Sequence, residues 1–172
     1  MVLAVLAFCI GPARAWDEPD GFRNIPWGSP PSVVAEQLKG VDCYDKTSRG
    51  SPSCSTYVTI GDVRTFVYIT FETGGMDRVG LTFPSDAFPR MKIIFVDRYG
   101  PPTSSRSETV QNRMGAKYEN EILEWAGEKI DIALHRYGSK LTDSYARIET
   151  NESKQRRLEE AKKKLKEGKK DL

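Results

Sequence analysis

The chain has 172 residues, 38% of them hydrophobic and 29% charged, with a formal net charge of +2. That length suits one domain or two very small ones. The near-neutral balance argues neither for a nucleic-acid partner nor for a strongly acidic one, no nucleic-acid partner is expected, and the composition is that of a globular body with a charged appendage.

The first ten residues are almost wholly apolar and are followed by Gly11-Pro12 and then Ala13-Arg14-Ala15. An apolar core, a breaker and a small-x-small site form the layout of a secretory signal peptide, with cleavage expected after Ala15. No Lys or Arg precedes the apolar run, which suggests a true start upstream of Met1. The alternative, a buried N-terminal strand or helix, fits less well with the polar Trp16-Asp17-Glu18-Pro19-Asp20-Gly21 that follows. The run is too short to span a bilayer as a helix. Phe8 before Cys9 stands where a lipidation motif needs a small residue, so lipidation is not expected. The mature chain then keeps Cys43 and Cys54, which flank a Ser/Gly-rich loop. Such a pair reads as a disulfide in an oxidising compartment, and so as periplasmic export. Zinc would want more ligands than the single His135 and this one cysteine pair, and the spacing is not Cys-x-x-Cys.

A short helix is expected after Ile25-Pro26-Trp27-Gly28, capped by Ser29 or Ser32, with Pro30 and Pro31 in its first turn and Gly40 at its end. Three strands follow, at 55–60, 63–72 and 76–83. In the second, Val63, Thr65, Val67, Ile69 and Phe71 share one side. In the third, Val79, Leu81 and Phe83 take the core side. Ser85 or Asp86 is expected to cap a helix that starts near Ala87 and runs to Gly100-Pro101-Pro102, with Phe88, Met91, Ile94, Phe95 and Tyr99 at helical spacing. Residues 103–115 read as polar loop, with room for one helical turn. Strands return at 121–126, 129–136 and 142–148. The order suggests a tandem α-β-β-β duplication, with halves at 22–83 and 85–149. The fold class is α+β, antiparallel meanders with helices on one face.

Residues 151–172 carry nine basic and five acidic residues, a local +4, with Leu158, Ala161 and Leu165 as a thin apolar stripe. They read as a charged helix or a disordered tail. The weak stripe implies that truncation after Thr150 changes stability by no more than about 1 kcal/mol. Taking Arg14 and this tail from the chain's +2 leaves the body, 16–150, at −3.

No Gly-x-Ser-x-Gly, Walker loop or dinucleotide fingerprint occurs. His135 shares a strand face with Asp131, but Ile130, Ile132 and Leu134 take the core side, so His135 is expected to face water. Glu119, Glu121 and Glu124 could form paired carboxylates for a hydrolase, though solvent-facing charge is the plainer reading. No catalytic residue, cofactor or metal is expected. The face of the 63–72 strand opposite the core carries Arg64, Phe66, Tyr68 and Thr70, and neighbouring strands add Tyr57 and Arg78. Aromatics with arginine are the residue types enriched at protein interfaces. The weightier alternative is that the second unit or the tail covers this face, because Phe66 is costly to expose.

Phe22-Arg23-Asn24-Ile25-Pro26-Trp27-Gly28, Tyr68-Ile69-Thr70-Phe71, Tyr99-Gly100-Pro101 and the strand bearing Trp125 resemble a pattern in uncharacterised periplasmic proteins. The layout resembles the β-lactamase-inhibitor-protein architecture, and more loosely small outer-membrane-assembly lipoproteins. Here the first helix ends Leu38-Lys39-Gly40 without the usual proline, and no lipidation cysteine is present. The resemblance covers roughly 22–149 and implies a non-enzymatic module that binds an envelope protein on a sheet face. The alternative function is an envelope-binding protein whose basic tail contacts anionic lipid or cell-wall polymer.

Overall fold

A computed structural model describes residues 16–45, 51–72 and 74–169. The expected signal peptide, the middle of the cysteine loop and the last three residues lie outside that set. One antiparallel eight-stranded sheet dominates: β3 (Asp42–Tyr44), β4 (Ser53–Ile60), β5 (Val63–Thr70), β6 (Arg78–Pro84), β7 (Ser104–Gln111), β8 (Lys117–Ala126), β9 (Ile130–His135) and β10 (Asp143–Thr150). Their order across the sheet is β3-β4-β5-β6-β10-β9-β8-β7. A separate hairpin, β1 (Gly21–Phe22) and β2 (Ile25–Pro26), turns through Arg23 and Asn24, both with positive φ.

Helix α1 (Pro31–Gln37) precedes the meander β3 to β6, and α2 (Phe88–Tyr99) precedes the meander β7 to β10. Each helix is thus followed by four strands, one more than expected. The two meanders meet through their last strands, β6 against β10, in register from Asp143↔Pro84 to Glu149↔Arg78. They extend one sheet sideways and do not stack.

Strand alternation places the core on one face. Val67, Ile69, Val79, Leu81, Ile132, Leu134, Ala146 and Ile148 are buried there beneath Val34 and Leu38 of α1 and Phe88, Met91 and Phe95 of α2. Trp125 is fully buried, 6.0 Å from the Phe95 ring, and its indole N–H donates to the Gly100 carbonyl at 2.9 Å. A buried indole needs such a partner, and this bond fixes where α2 stops against β8.

Several local expectations are corrected. Neither Ser29 nor Ser32 caps α1; Pro30 holds the N-cap position without a side-chain bond. A short 3-10 turn, Ser85–Ala87, precedes α2, and it too lacks a side-chain cap. The polar stretch 103–115 is not loop but contains β7, an edge strand with every residue exposed except the half-buried Val110. A strand solvated on both faces has no apolar period to read. For the same reason β8 begins at Lys117, four residues before the expected start.

Cys43 and Cys54 form the expected disulfide. They are directly opposed on β3 and β4, so the bridge clamps the short edge strand to its neighbour. Cys54 is buried and Cys43 is exposed.

The N-terminal segment is strapped across the β8–β9 turn. The Trp16 indole donates to the Ala126 carbonyl at 3.1 Å, and the Glu18 carboxylate accepts from the backbone N–H groups of Glu128, Lys129 and Ile130. A side chain at Gly127 would collide with Trp16 and Glu18.

The tail is helix α3 (Asn151–Gly168), capped by the Thr150 hydroxyl, which accepts from the Ser153 N–H at 3.1 Å. Its attachment is polar, not apolar: the Asn151 side-chain amide donates to the Gly127 and Glu128 carbonyls, and ion pairs follow. Arg156 pairs with Glu72 and Asp77, Arg157 with Glu149, and Lys154 with Asp131. Leu158 and Leu165 stay exposed. The expectation that the tail adds little followed only its apolar stripe and missed these contacts.

Candidate functional site

Side chains on the face away from α1 and α2 fall into rows that the strand registers define. One row runs Tyr57, Phe66, Thr82, Tyr145, His135, Ile122, Arg106. The next runs Ser55, Tyr68, Gly80, Arg147, Ala133, Glu124, Ser104. A third runs Ser53, Thr70, Arg78, Glu149, Asp131, Ala126.

Four of the six residues named on this face from sequence form one cluster. The Tyr57 and Phe66 rings lie 5.2 Å apart, and the Arg64 guanidinium carbon sits 4.0 Å above the Tyr57 ring. Tyr68 occupies the adjacent row beside Gly80. Tyr57 is 57% exposed, while Phe66 and Tyr68 are partly exposed. Tyr57 and Arg64 stay exposed, so the expectation of a covered face is corrected at this cluster, whereas α3 does cover the same face at Glu149 and Asp131. Phe66 is shielded sideways by Tyr57, and the second meander lies beside the first.

Arg78 is not part of this cluster. Its guanidinium donates to Glu72 at 2.9 Å at the end of the sheet where α3 attaches. There Glu149 is 1% exposed and is held by Arg147 and Arg157, both at 2.7 Å. Asp77 is 5% exposed and accepts from Thr70, the Glu72 N–H and Arg156. Burial, and secondarily the Glu72 carboxylate, raise the Asp77 carboxyl above its ordinary value, against these three bonds. The hydrogen bond to Glu149 raises the Arg157 guanidinium.

Tyr145, Thr82, Gly80 and Arg147 continue the open face beside His135, and these four were not singled out from sequence. They come to it through β6–β10 pairing, and alternation in a single strand cannot reveal that register. The Tyr145 hydroxyl approaches the space where Gly80 lacks a side chain. A cleft of about 530 Å³ lies beside them, bordered by Glu108, Asn120, His135, Tyr137 and Tyr145. His135 faces this side as expected, though half-buried. Burial, then Arg147 and Arg106, lower its pKa.

The groups weighed for catalysis are held apart. Asp131 pairs with Lys154 at 3.0 Å and stands four residues from His135, about 13 Å along a strand. Glu124 lies on the open face with Arg106, whereas Glu119 and Glu121 point to the opposite face, where Glu121 binds Lys92. Among the described residues, no three His, Cys, Asp or Glu side chains converge to hold a metal ion, and no helix is long and apolar enough to cross a membrane. Compared with family models, curated proteins and solved structures, the chain matches none.

Proposed function

We propose that the chain is an exported, non-enzymatic interaction module of the periplasm that receives a protein partner on its open sheet face. One observation carries this reading: an aromatic and arginine cluster on the open face, with Tyr57 and Arg64 exposed and Phe66 and Tyr68 partly so. Residues of these types, set at the centre of a patch, supply most of the binding energy at protein interfaces. The disulfide fits an oxidising compartment, and the resemblance to the β-lactamase-inhibitor-protein architecture points the same way. The test is site-specific photo-crosslinking in a native envelope fraction. A probe at Tyr57 should capture a discrete protein, and a probe at Ile93, exposed on α2, should not. Equal capture from both positions, or capture indifferent to Phe66→Ala, rejects the assignment.

A second reading has its own observation. Beyond Arg157, α3 makes no hydrogen bond or ion pair to the sheet among the described residues, and it carries Lys162, Lys163, Lys164 and Lys166. A peripheral contact of this helix with anionic lipid or cell-wall polymer would weaken steeply with ionic strength, whereas binding through the aromatic face would not.

A further inference from the structure

We infer that β7 is a homodimer edge, pairing antiparallel with β7 of a second copy about a two-fold axis at Ser107. The two ends of the sheet differ. The β3 edge is three residues long and is clamped by the disulfide, while β7 is eight residues long, has no proline, and is exposed along its length. Natural sheets blunt long edges because their free backbone groups recruit other strands.

The backbone phase limits the registers open to such a pair. The Asn112 N–H donates to the Ala116 carbonyl, and these two residues stand one step beyond the last β7–β8 pair, Gln111↔Lys117, in the same register. In an antiparallel ladder, bonded pairs recur every second residue. Ser104, Arg106, Glu108 and Val110 therefore bond inward to β8. Ser105, Ser107 and Thr109 turn their N–H and C=O groups outward, unpartnered among the described residues. A second strand must set odd-numbered residues against odd-numbered ones.

Side-chain charge then selects one register. With Ser107 opposite Ser107, Arg106 of each copy faces Glu108 of the other, and Ser105 faces Thr109. One allowed step either way sets Arg106 against Arg106 or Glu108 against Glu108, and like charges directly opposite are destabilising. Arg106 and Glu108 already bridge within one chain at 3.0 Å on the open-face side, so pairing would complete a ring of four alternating charges. The blunt β3 edges end the assembly at two copies, a closed isologous dimer. Directly opposed residues share a face, so both open faces would point the same way, whatever they bind.

Sedimentation velocity of the full-length chain, from micromolar to millimolar concentration, tests this. The wild type should reach twice the monomer mass. Ser107→Pro removes an outward donor without taking a β8 bond and should leave a folded monomer. Arg106→Glu and Glu108→Arg should each weaken self-association about tenfold or more through two like-charge contacts. Mixed one to one, these two variants should pair with each other, because every opposed position again meets opposite charge. Both side chains are about half exposed, so Arg106→Glu should barely move the melting temperature, whereas Glu108→Arg strands the buried Asn120 amide that donates to it and should lower it modestly; circular dichroism serves as the folding control. A wild type that stays monomeric throughout, a dimer indifferent to Ser107→Pro, or a mixture of the two charge variants that stays monomeric would overturn the inference.

Discussion

Stopping the chain after Thr150 and stopping it after Ala161 should have very different effects. The shorter form loses Lys154, Arg156 and Arg157 together with the helix that the Thr150 cap begins. Asp77 is then left without any guanidinium, while Glu72 keeps Arg78 and Glu149 keeps Arg147. Hydrogen bonds to charged groups contribute about 1.5–3 kcal/mol each, but Arg156 and Arg157 are about one-third exposed, so solvent screening reduces each to about 1 kcal/mol. With the weaker Lys154–Asp131 pair, the loss should total about 2–4 kcal/mol. For a domain of this size that is a fall in Tm of roughly 6–12 °C. The form ending at Ala161 keeps every one of these contacts and should lie within about 0.5 kcal/mol of the intact chain. Urea unfolding and calorimetry of the three forms decide the matter. The sign with pH is also fixed. Asp77 has a raised folded pKa, so its protonated form favours the folded state, and its contribution falls as pH rises from the ordinary carboxylate value through the raised one. Removing Arg156 raises that pKa further, so the truncation loss should shrink toward acid pH. Equal small losses from both truncations would show that the arginine contacts contribute nothing. A large loss from the Ala161 form would show that the distal helix docks through Leu165.

Labelling under denaturing conditions should find Cys43 and Cys54 unreactive until a reductant is added, after which stability falls by about 3 kcal/mol for a ring of this size. His135 has a lowered folded pKa, so the unfolded chain takes up its proton first. Stability should therefore fall as pH drops through the ordinary histidine range toward the lowered value, and His135→Gln should flatten that part of the profile. Glu18→Ala frees three backbone N–H groups from their acceptor and should cost about 1–3 kcal/mol, with faster hydrogen exchange at Glu128 to Ile130.

Much of the first meander was legible because its strands alternate cleanly. Val67 and Ile69 are buried, Phe66 and Tyr68 face out, and the period of two dictates that division. The Tyr57–Phe66 neighbourhood followed from a tight turn at Gly61-Asp62, which fixes a local register. Long-range pairing was not legible. Nothing in 78–84 or 143–150 announces that they meet, so Tyr145 and Arg147 could not be added to the face. Polar β7 carried no period at all. The docking of α3 escaped because apolar spacing cannot register guanidinium groups reaching buried carboxylates. The buried Glu149 and Asp77 were hidden among other charged residues until the sheet brought arginines to them.

The seam between β6 and β10 also bears on how the molecule assembles. Its opposed pairs, such as Gly80 and Arg147, are far apart in the chain, whereas every other ladder joins strands that are neighbours in sequence. Six of the seven ladders can close locally and quickly, and the central one must wait for both meanders. Until then β6 is an edge whose inner row, Val79, Leu81 and Phe83, has no β10 beside it. A chain whose two meanders had formed before meeting would offer β6 to the β10 of a different molecule in the same register. The same geometry that gives a broad uninterrupted face leaves its middle strand as the place where two chains can exchange halves.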